Sequence, residues 1–209
     1  MKTIAVMNYK GGVGKTTFTG CTAQALALTG FRVLVIDNDA QHDLSTMLGV
    51  AGRRPTIRDV YHCSIGPAAG KLMEAVCETD VPYLHAIASE NALCSADVRD
   101  PFLLKKCFTY GMVHRFYDYV LIDNSPGLDA LQVCSLHAAD SMFVPTELRQ
   151  FAYNGLVDMA SVLSTTYPDD CCVTRVVPHF YRDTKSQNRI LRLLHAAFPG
   201  RGCQTLVPY

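Results

Sequence analysis

Lys10-Gly11-Gly12-Val13-Gly14-Lys15-Thr16-Thr17 decides the fold of this 209-residue chain, because it follows the apolar run Ile4-Ala5-Val6-Met7 and opens a helical pattern. Glycines at 11, 12 and 14 let the backbone curl so that several N–H groups share one concavity. A helix beginning near Lys15 adds its partial positive charge, and the result reads as a phosphate-binding loop. Lys15 would set an ammonium between β- and γ-phosphates, the Thr16 hydroxyl would be a ligand of the bridging Mg²⁺, and Thr17 would contact the α-phosphate. The plain alternative is a Gly-rich strand-to-helix turn carrying two surface lysines.

The spacing departs from the usual G-x-x-x-x-G-K-[ST] formula, since its first glycine would fall on Tyr9 and a lysine, Lys10, stands beside that position. With this lysine the loop resembles the deviant Walker A box of the ParA/MinD family, ATPases that position plasmids, chromosomes, division sites and other cargo. The resemblance implies that Lys10 reaches across a dimer interface to the phosphates bound by the other subunit.

Length and composition bound the rest. With 49% apolar and 18% charged residues the chain can build a sizeable core, and one domain over 1–209 is expected. No apolar run approaches the roughly 20 residues that span a bilayer, and no signal-type segment opens the chain, so a cytoplasmic protein is expected. The nine cysteines are an odd number without a C-x-x-C pair. Reduced thiols are the expectation, and the Cys171-Cys172 pair, on opposite faces of a strand, makes a poor metal site. Net charge is zero, yet after residue 170 six basic residues face one acid, leaving −5 on the first 170.

Strand and helix signals then alternate as in a doubly wound α/β fold, a mostly parallel sheet flanked by helices. A strand over about 2–8 feeds the loop, a helix runs from Lys15 to about Thr29 with Gly30 as its stop, and Phe31–Ile36 is a second strand buried on both faces. Asp37-Asn38-Asp39 ends that strand at the edge where such folds bind ligands. The resembled family has D-x-D-P-Q here, which implies that Asp39 orients the water attacking the γ-phosphate and Asp37 supports the Mg²⁺ shell. Ala40 replaces the family's proline, and His42-Asp43 its usual Gly-Asn.

Between 49 and 80 a short helix is expected at 56–61 and part of another at 70–78. Tyr83–Ala88 reads as a strand. Asp100-Pro101 starts a helix with a core stripe of Phe102, Leu103, Leu104, Cys107, Phe108 and Met112. His85 and His114 read as ordinary structural residues. Tyr117-Asp118-Tyr119-Val120-Leu121-Ile122-Asp123 has the Walker B form, with Asp123 holding Mg²⁺ through water. The Asn124-Ser125-Pro126-Gly127 that follows resembles the family's D-x-P-P-x switch, with Ser125 in place of its first proline.

Strands are further expected at 141–145, 172–177 and 204–207. By resemblance the helix after Val144-Pro145-Thr146-Glu147 lines the dimer interface, with Glu147 and Arg149 as candidates, and Pro178 and His179 lie beside the nucleotide base. On a helix from about Thr184 to Phe198, Lys185, Arg189 and Arg192 form one cationic stripe, while Ile190, Leu193, Leu194 and Ala197 can face the core. This stripe is a candidate for non-specific DNA binding; an ordinary solvated helix face is the alternative.

The reading is a ParA-like ATPase, with ATP and Mg²⁺ as cofactors, homodimerisation on ATP binding, and a ParB-like activating partner implied by the resemblance. The longer members continue past the 204–207 strand with a terminal helix, and a chain ending at Pro208-Tyr209 leaves no candidate for a membrane-targeting helix, so no membrane anchor is expected. Localisation would be cytoplasmic, on the nucleoid if DNA is bound. A small-molecule kinase or ligase of the same fold class, such as dethiobiotin synthetase, and a positioning ATPase for non-DNA cargo are the alternatives. A GTPase would carry N-K-x-D, and a metal-cluster carrier C-x-x-C; both motifs are absent.

Overall fold

The computed structural model describes residues 1–167, 173–202 and 206–208. Strands β1 (Lys2–Val6), β2 (Val33–Asn38), β3 (Val76–Glu78), β4 (Leu84–Ile87), β5 (Tyr119–Asn124), β6 (Ser141–Glu147) and β7 (Val173–His179) form one sheet in the order β3-β4-β2-β5-β1-β6-β7. All neighbours run parallel except β3, which pairs antiparallel with β4. The order reverses direction at β1, so the loop after β1 lies where a crevice opens at the carboxyl ends of the strands.

Helices α1 (Lys15–Leu28) and α2 (Asp43–Met47) cover one face, where Ala23, Ala27 and Leu44 join Val33, Val35 and Leu121. On the other face, Leu34, Ile36, Val120 and Ile122 meet α3 (Ile57–Tyr61), α4 (Ile65–Glu74), α5 (Leu103–Tyr110) and α6 (Ala130–Ala138). Further along, Ala5, Met7, Val144 and Val176 pack with α7 (Gln150–Thr166) and α8 (Lys185–Ala197). Alternate residues of β2 thus enter different cores, which is why the strand is apolar without interruption. Gly30, at φ 93, supplies the left-handed turn that stops α1.

Several expectations change. The second helix of the 49–80 region starts earlier, at Ile65, and residues 76–78 leave it to extend the sheet edge as β3. On α5 the stripe is narrower: Leu103, Leu104, Cys107 and Phe108 are buried, whereas Phe102 and Met112 are exposed. Phe102 instead stacks on His137, ring centroids 4.1 Å apart. On α8, Ile190 and Leu194 are buried and Leu193 packs beside them, but Ala197 is exposed. His85 accepts the structural role expected of it, its Nδ1 lying 2.8 Å from the Tyr117 hydroxyl. The Cys171-Cys172 pair and most of the strand expected at 204–207 lie outside the described residues.

Candidate nucleotide-binding site

The loop between β1 and α1 rests on Asn8. Its amide donates to the Pro145 carbonyl at 2.8 Å, and its Oδ1 accepts the Lys10 N–H at 2.9 Å. Gly12 (φ 72) and Gly14 (φ 86) then take left-handed conformations, turning successive N–H groups toward one side. Val13 turns the other way and is fully buried. A Cβ on Gly14 would stand 2.8 Å from His179 Nδ1, so this loop position is closed to larger residues on two counts.

The two lysines of the loop have opposite surroundings. Lys15 is buried (6% exposed), and its Nζ donates to the Lys10 carbonyl at 3.3 Å. Burial lowers its pKa, while the nearby Asp123 and Asp39 carboxylates favour its charged form. Lys10 lies on the outer rim with its side chain 44% exposed, 3.2 Å from Glu147 Oε2. The same oxygen forms an ion pair with Arg149, 3.2 Å from its Nε. Beside them a cavity of about 380 Å³ is lined by Gly12, Glu147, Arg149, Phe180, Arg182 and Gln187.

The acids converge from two strands. Asp37 and Asp123 face each other in the β2–β5 register, both 1% exposed. Burial pushes Asp123 up to about 7; the Thr16 hydroxyl opposes this, and the Asp37 carboxylate adds to it. Its Oδ1 accepts from the Thr19 hydroxyl at 3.1 Å, and its Oδ2 is buried with no partner among the described residues. Burial likewise raises Asp37 to about 6, against hydrogen bonds from the Ser45 hydroxyl (2.6 Å) and the Ser45 N–H (2.7 Å). Asp39 is half-buried on the following turn, where its Oδ1 accepts the Gln41 N–H at 3.0 Å. The changed residues after it are accommodated by His42 at φ 47, which leads into α2.

The orphan Asp123 Oδ2, the Thr16 hydroxyl and the Asp37 carboxylate are hard oxygen donors of the kind Mg²⁺ takes. Among the described residues no group of three acidic, His or Cys side chains forms a complete metal cage.

Toward the far side of the loop, Pro178 is buried in β7 and its carbonyl accepts the Val207 N–H at 3.0 Å. His179 packs edge-on against Phe18, centroids 5.8 Å apart, with Nε2 buried and unpartnered among the described residues. Burial lowers the His179 pKa. An apolar groove of about 410 Å³ lies alongside, bounded by Thr17, Phe18, Cys21, Leu26 and His179. Residues 10–17 thus form the turn and the start of α1, Asp37 and Asp123 pair at the ends of β2 and β5, and His179 lies against Gly14 and Phe18.

Sequence reasoning missed Thr19, Ser45, Asn8 and Gln132. Thr19 lies one helical turn past Lys15, a spacing that could have placed it over β5. Ser45 had no signal, because α2 was not expected. Gln132, fully buried, donates to the Ser125 hydroxyl at 2.6 Å and so holds the segment after Asp123.

Residues 1–169 match the family described as AAA domain. The chain is 35% identical over 165 residues to the chromosome partitioning protein ParA of Caulobacter vibrioides, covering 76% of this chain and 61% of that one. It is 30% identical over 201 residues to the sporulation initiation inhibitor protein Soj of Bacillus subtilis, covering 93% and 74%. The chain thus spans about three fifths of the first relative's length. Among solved structures, the cobyrinic acid a,c-diamide synthase of Mycobacterium smegmatis with bound ADP and magnesium superposes with a TM-score of 0.84 at 25% identity, over 100% of this chain and 86% of that one. The deviant lysine-bearing loop, the two facing acids and the sequence relatives agree: the chain belongs to the ParA/MinD family of deviant Walker A ATPases.

Proposed function

We propose that this protein is an ATP-dependent dimerisation switch that partitions or positions DNA or other cargo, acting as a single ATPase domain over residues 1–209. The observation that carries this is the opposite exposure of two lysines in one loop. Lys15 is enclosed where a bound triphosphate would be, whereas Lys10 is presented at the rim, available to a second subunit. Phe151, 87% exposed two residues beyond Arg149, offers a large apolar contact surface at the start of α7.

In this reading the backbone N–H groups of residues 11–17 and the Lys15 ammonium cradle the phosphates of ATP. Thr16, Asp37 and Asp123 would hold Mg²⁺, which neutralises phosphate charge when bound. Asp39 orients the attacking water, and Pro178 and His179 border the base. Hydrolysis undoes the dimer, and a ParB-like partner accelerates that step. The setting is cytoplasmic, on the nucleoid if DNA is bound. Among the described residues no helix is long and apolar enough to cross a membrane.

Non-specific DNA binding by the dimer falls to α8, on which Lys185, Arg189 and Arg192 are all exposed. One subunit offers few phosphate contacts; two double them, so ATP can switch DNA affinity without base reading. The test is titration of random-sequence duplex with ATP or ADP at several salt concentrations. ATP-dependent binding with a steep salt slope, reduced by Arg189→Ala/Arg192→Ala, is the expected result. Binding indifferent to nucleotide, salt and both arginines rejects the DNA assignment and moves the cargo elsewhere.

The likeness to the diamide synthase favours one other reading, an ATP-dependent ligase acting on a small molecule. Such an enzyme would turn over ATP only with its acceptor present and would not need Lys10. Acceptor-free ATP hydrolysis that depends on Lys10 decides for the switch.

A further inference from the structure

Asn38 and Asn124 stand opposite each other at the carboxyl ends of β2 and β5, one residue before Asp39 and one before Ser125. Both are buried, at 0% and 1% exposure. Their amides are joined, Asn38 Nδ2 donating to Asn124 Oδ1 at 3.1 Å. The remaining valences are also spent. Asn38 Nδ2 reaches the Leu131 carbonyl at 3.1 Å, and Asn124 Nδ2 donates to the carbonyls of Ile122 (3.1 Å) and Val6 (3.3 Å). The Ser135 hydroxyl donates to Asn124 Oδ1 at 2.7 Å.

The last member comes from outside the site. Tyr61, at the end of α3 and 1% exposed, donates its hydroxyl to Asn38 Oδ1 at 3.0 Å. A pair of apolar residues would fill the same space without directional demands. Amides instead hold the two strand ends in one relative orientation, and they do so only while every partner is present.

On the ATPase reading above, the two loops joined here carry the residue that orients the attacking water and the segment that follows the metal-site acid. We infer that Tyr61 is a positioning residue for ATP hydrolysis: through Asn38 and Asn124 it locks the Asp39 and Ser125 loops into one unit. It lies in the core, outside the phosphate loop. Its removal leaves the phosphate cradle of residues 10–17 intact and lets the two loops move independently, so turnover falls while ATP binding persists.

The experiment compares wild type with Tyr61→Phe, which removes one oxygen and leaves Asn38 Oδ1 without its donor. ATP affinity, turnover number and backbone hydrogen exchange are measured on each. The expected result is ATP affinity within about twofold of wild type, turnover lowered about tenfold, and faster exchange in residues 39–43 and 125–129 together. Leu104→Val, in the same core but outside the network, should lower stability and leave turnover unchanged. If Tyr61→Phe does not fold, Ser135→Ala removes the other hydroxyl of the network and carries the same expectation. Wild-type turnover in the folded variant, an equal loss in affinity, or faster exchange confined to α3 overturns the inference. Should the wild type itself neither bind nor hydrolyse ATP, the ATPase reading falls, and exchange in the two loops still decides whether Tyr61 couples them.

Discussion

Lys10 Nζ and Glu147 Oε2 are 3.2 Å apart, so the lysine expected to serve a second subunit is held by a carboxylate of its own chain. An exposed pair of this kind contributes about 0.2–1 kcal/mol at most, too little to bind Lys10 permanently. Lys10→Ala should therefore shift the melting temperature of the nucleotide-free protein by no more than a few degrees and leave ATP affinity unchanged. Light scattering with ATP should show the dimer lost. A variant that dimerises and hydrolyses like wild type removes Lys10 from the interface.

The buried lysine should behave in the opposite way. Lys15→Ala deletes the cation that Asp123 and Asp39 both favour in its charged form, and ATP affinity should fall beyond detection in a fluorescent-nucleotide titration. Asp39→Ala should bind ATP normally but hydrolyse it at least about 100-fold more slowly, giving a long-lived dimer. Wild-type turnover in that variant would exclude Asp39 as the water-orienting residue.

Gly14→Ala puts a methyl group against His179 Nδ1 at 2.8 Å and a side chain onto a backbone at φ 86. Strain of about 1–3 kcal/mol is expected, together with loss of nucleotide-dependent thermal stabilisation. Pairing it with His179→Ala should restore part of the stability by relieving the contact, and chemical denaturation of the four proteins of the cycle measures this.

Phe151 is 87% exposed, so Phe151→Ser should leave monomer stability within about 0.5 kcal/mol of wild type. The ATP-dependent dimer should weaken by at least about tenfold if this ring is an anchor of the interface. Sedimentation with ATP reads the change. An unaffected dimer would remove Phe151 from the interface.

The Arg32–Asp118 pair predicts the acid limb of stability. Asp118 accepts from the Arg32 side chain at 2.8 and 3.2 Å and from its backbone N–H at 2.9 Å, which holds the carboxyl down at about 2, below its usual 3.8. A depressed acid contributes stability that is complete above the unfolded value and is lost as pH falls from about 4 through 2. Asp118→Asn should therefore narrow the difference in melting temperature between pH 6 and pH 3. An unchanged difference would mean that the pair persists in the unfolded chain.

Much of the site was legible before any coordinates, for local reasons. Uninterrupted apolar runs at 4–7, 33–36 and 120–122 mark strands buried on both faces, and glycines at 12 and 14 mark a left-handed turn before a helix. Acids at the ends of such strands point to the ligand edge. The short elements were less legible. Five residues of α2 and three of β3 span too little chain to display a period, so the Ser45 hydrogen bonds to Asp37 had no precursor in the sequence and 76–78 read as helix. Phe102 and Met112 fit the α5 pattern in spacing, but they lie beyond the last turns that actually meet the sheet.

The sequence by itself determined which chemistry is present: a phosphate loop with two lysines, two acids at the ends of β2 and β5, and a cationic stripe on α8. These rest on backbone preferences and side-chain periods that act over a few residues. Only the tertiary structure decided which groups meet. Asn38 and Asn124, 86 positions apart, become neighbours through the parallel β2–β5 register, and Thr19 reaches Asp123 across 104. It also decided that Lys15 is enclosed and Lys10 is not, because desolvation depends on how much protein surrounds a group, a quantity that no stretch of sequence carries within itself.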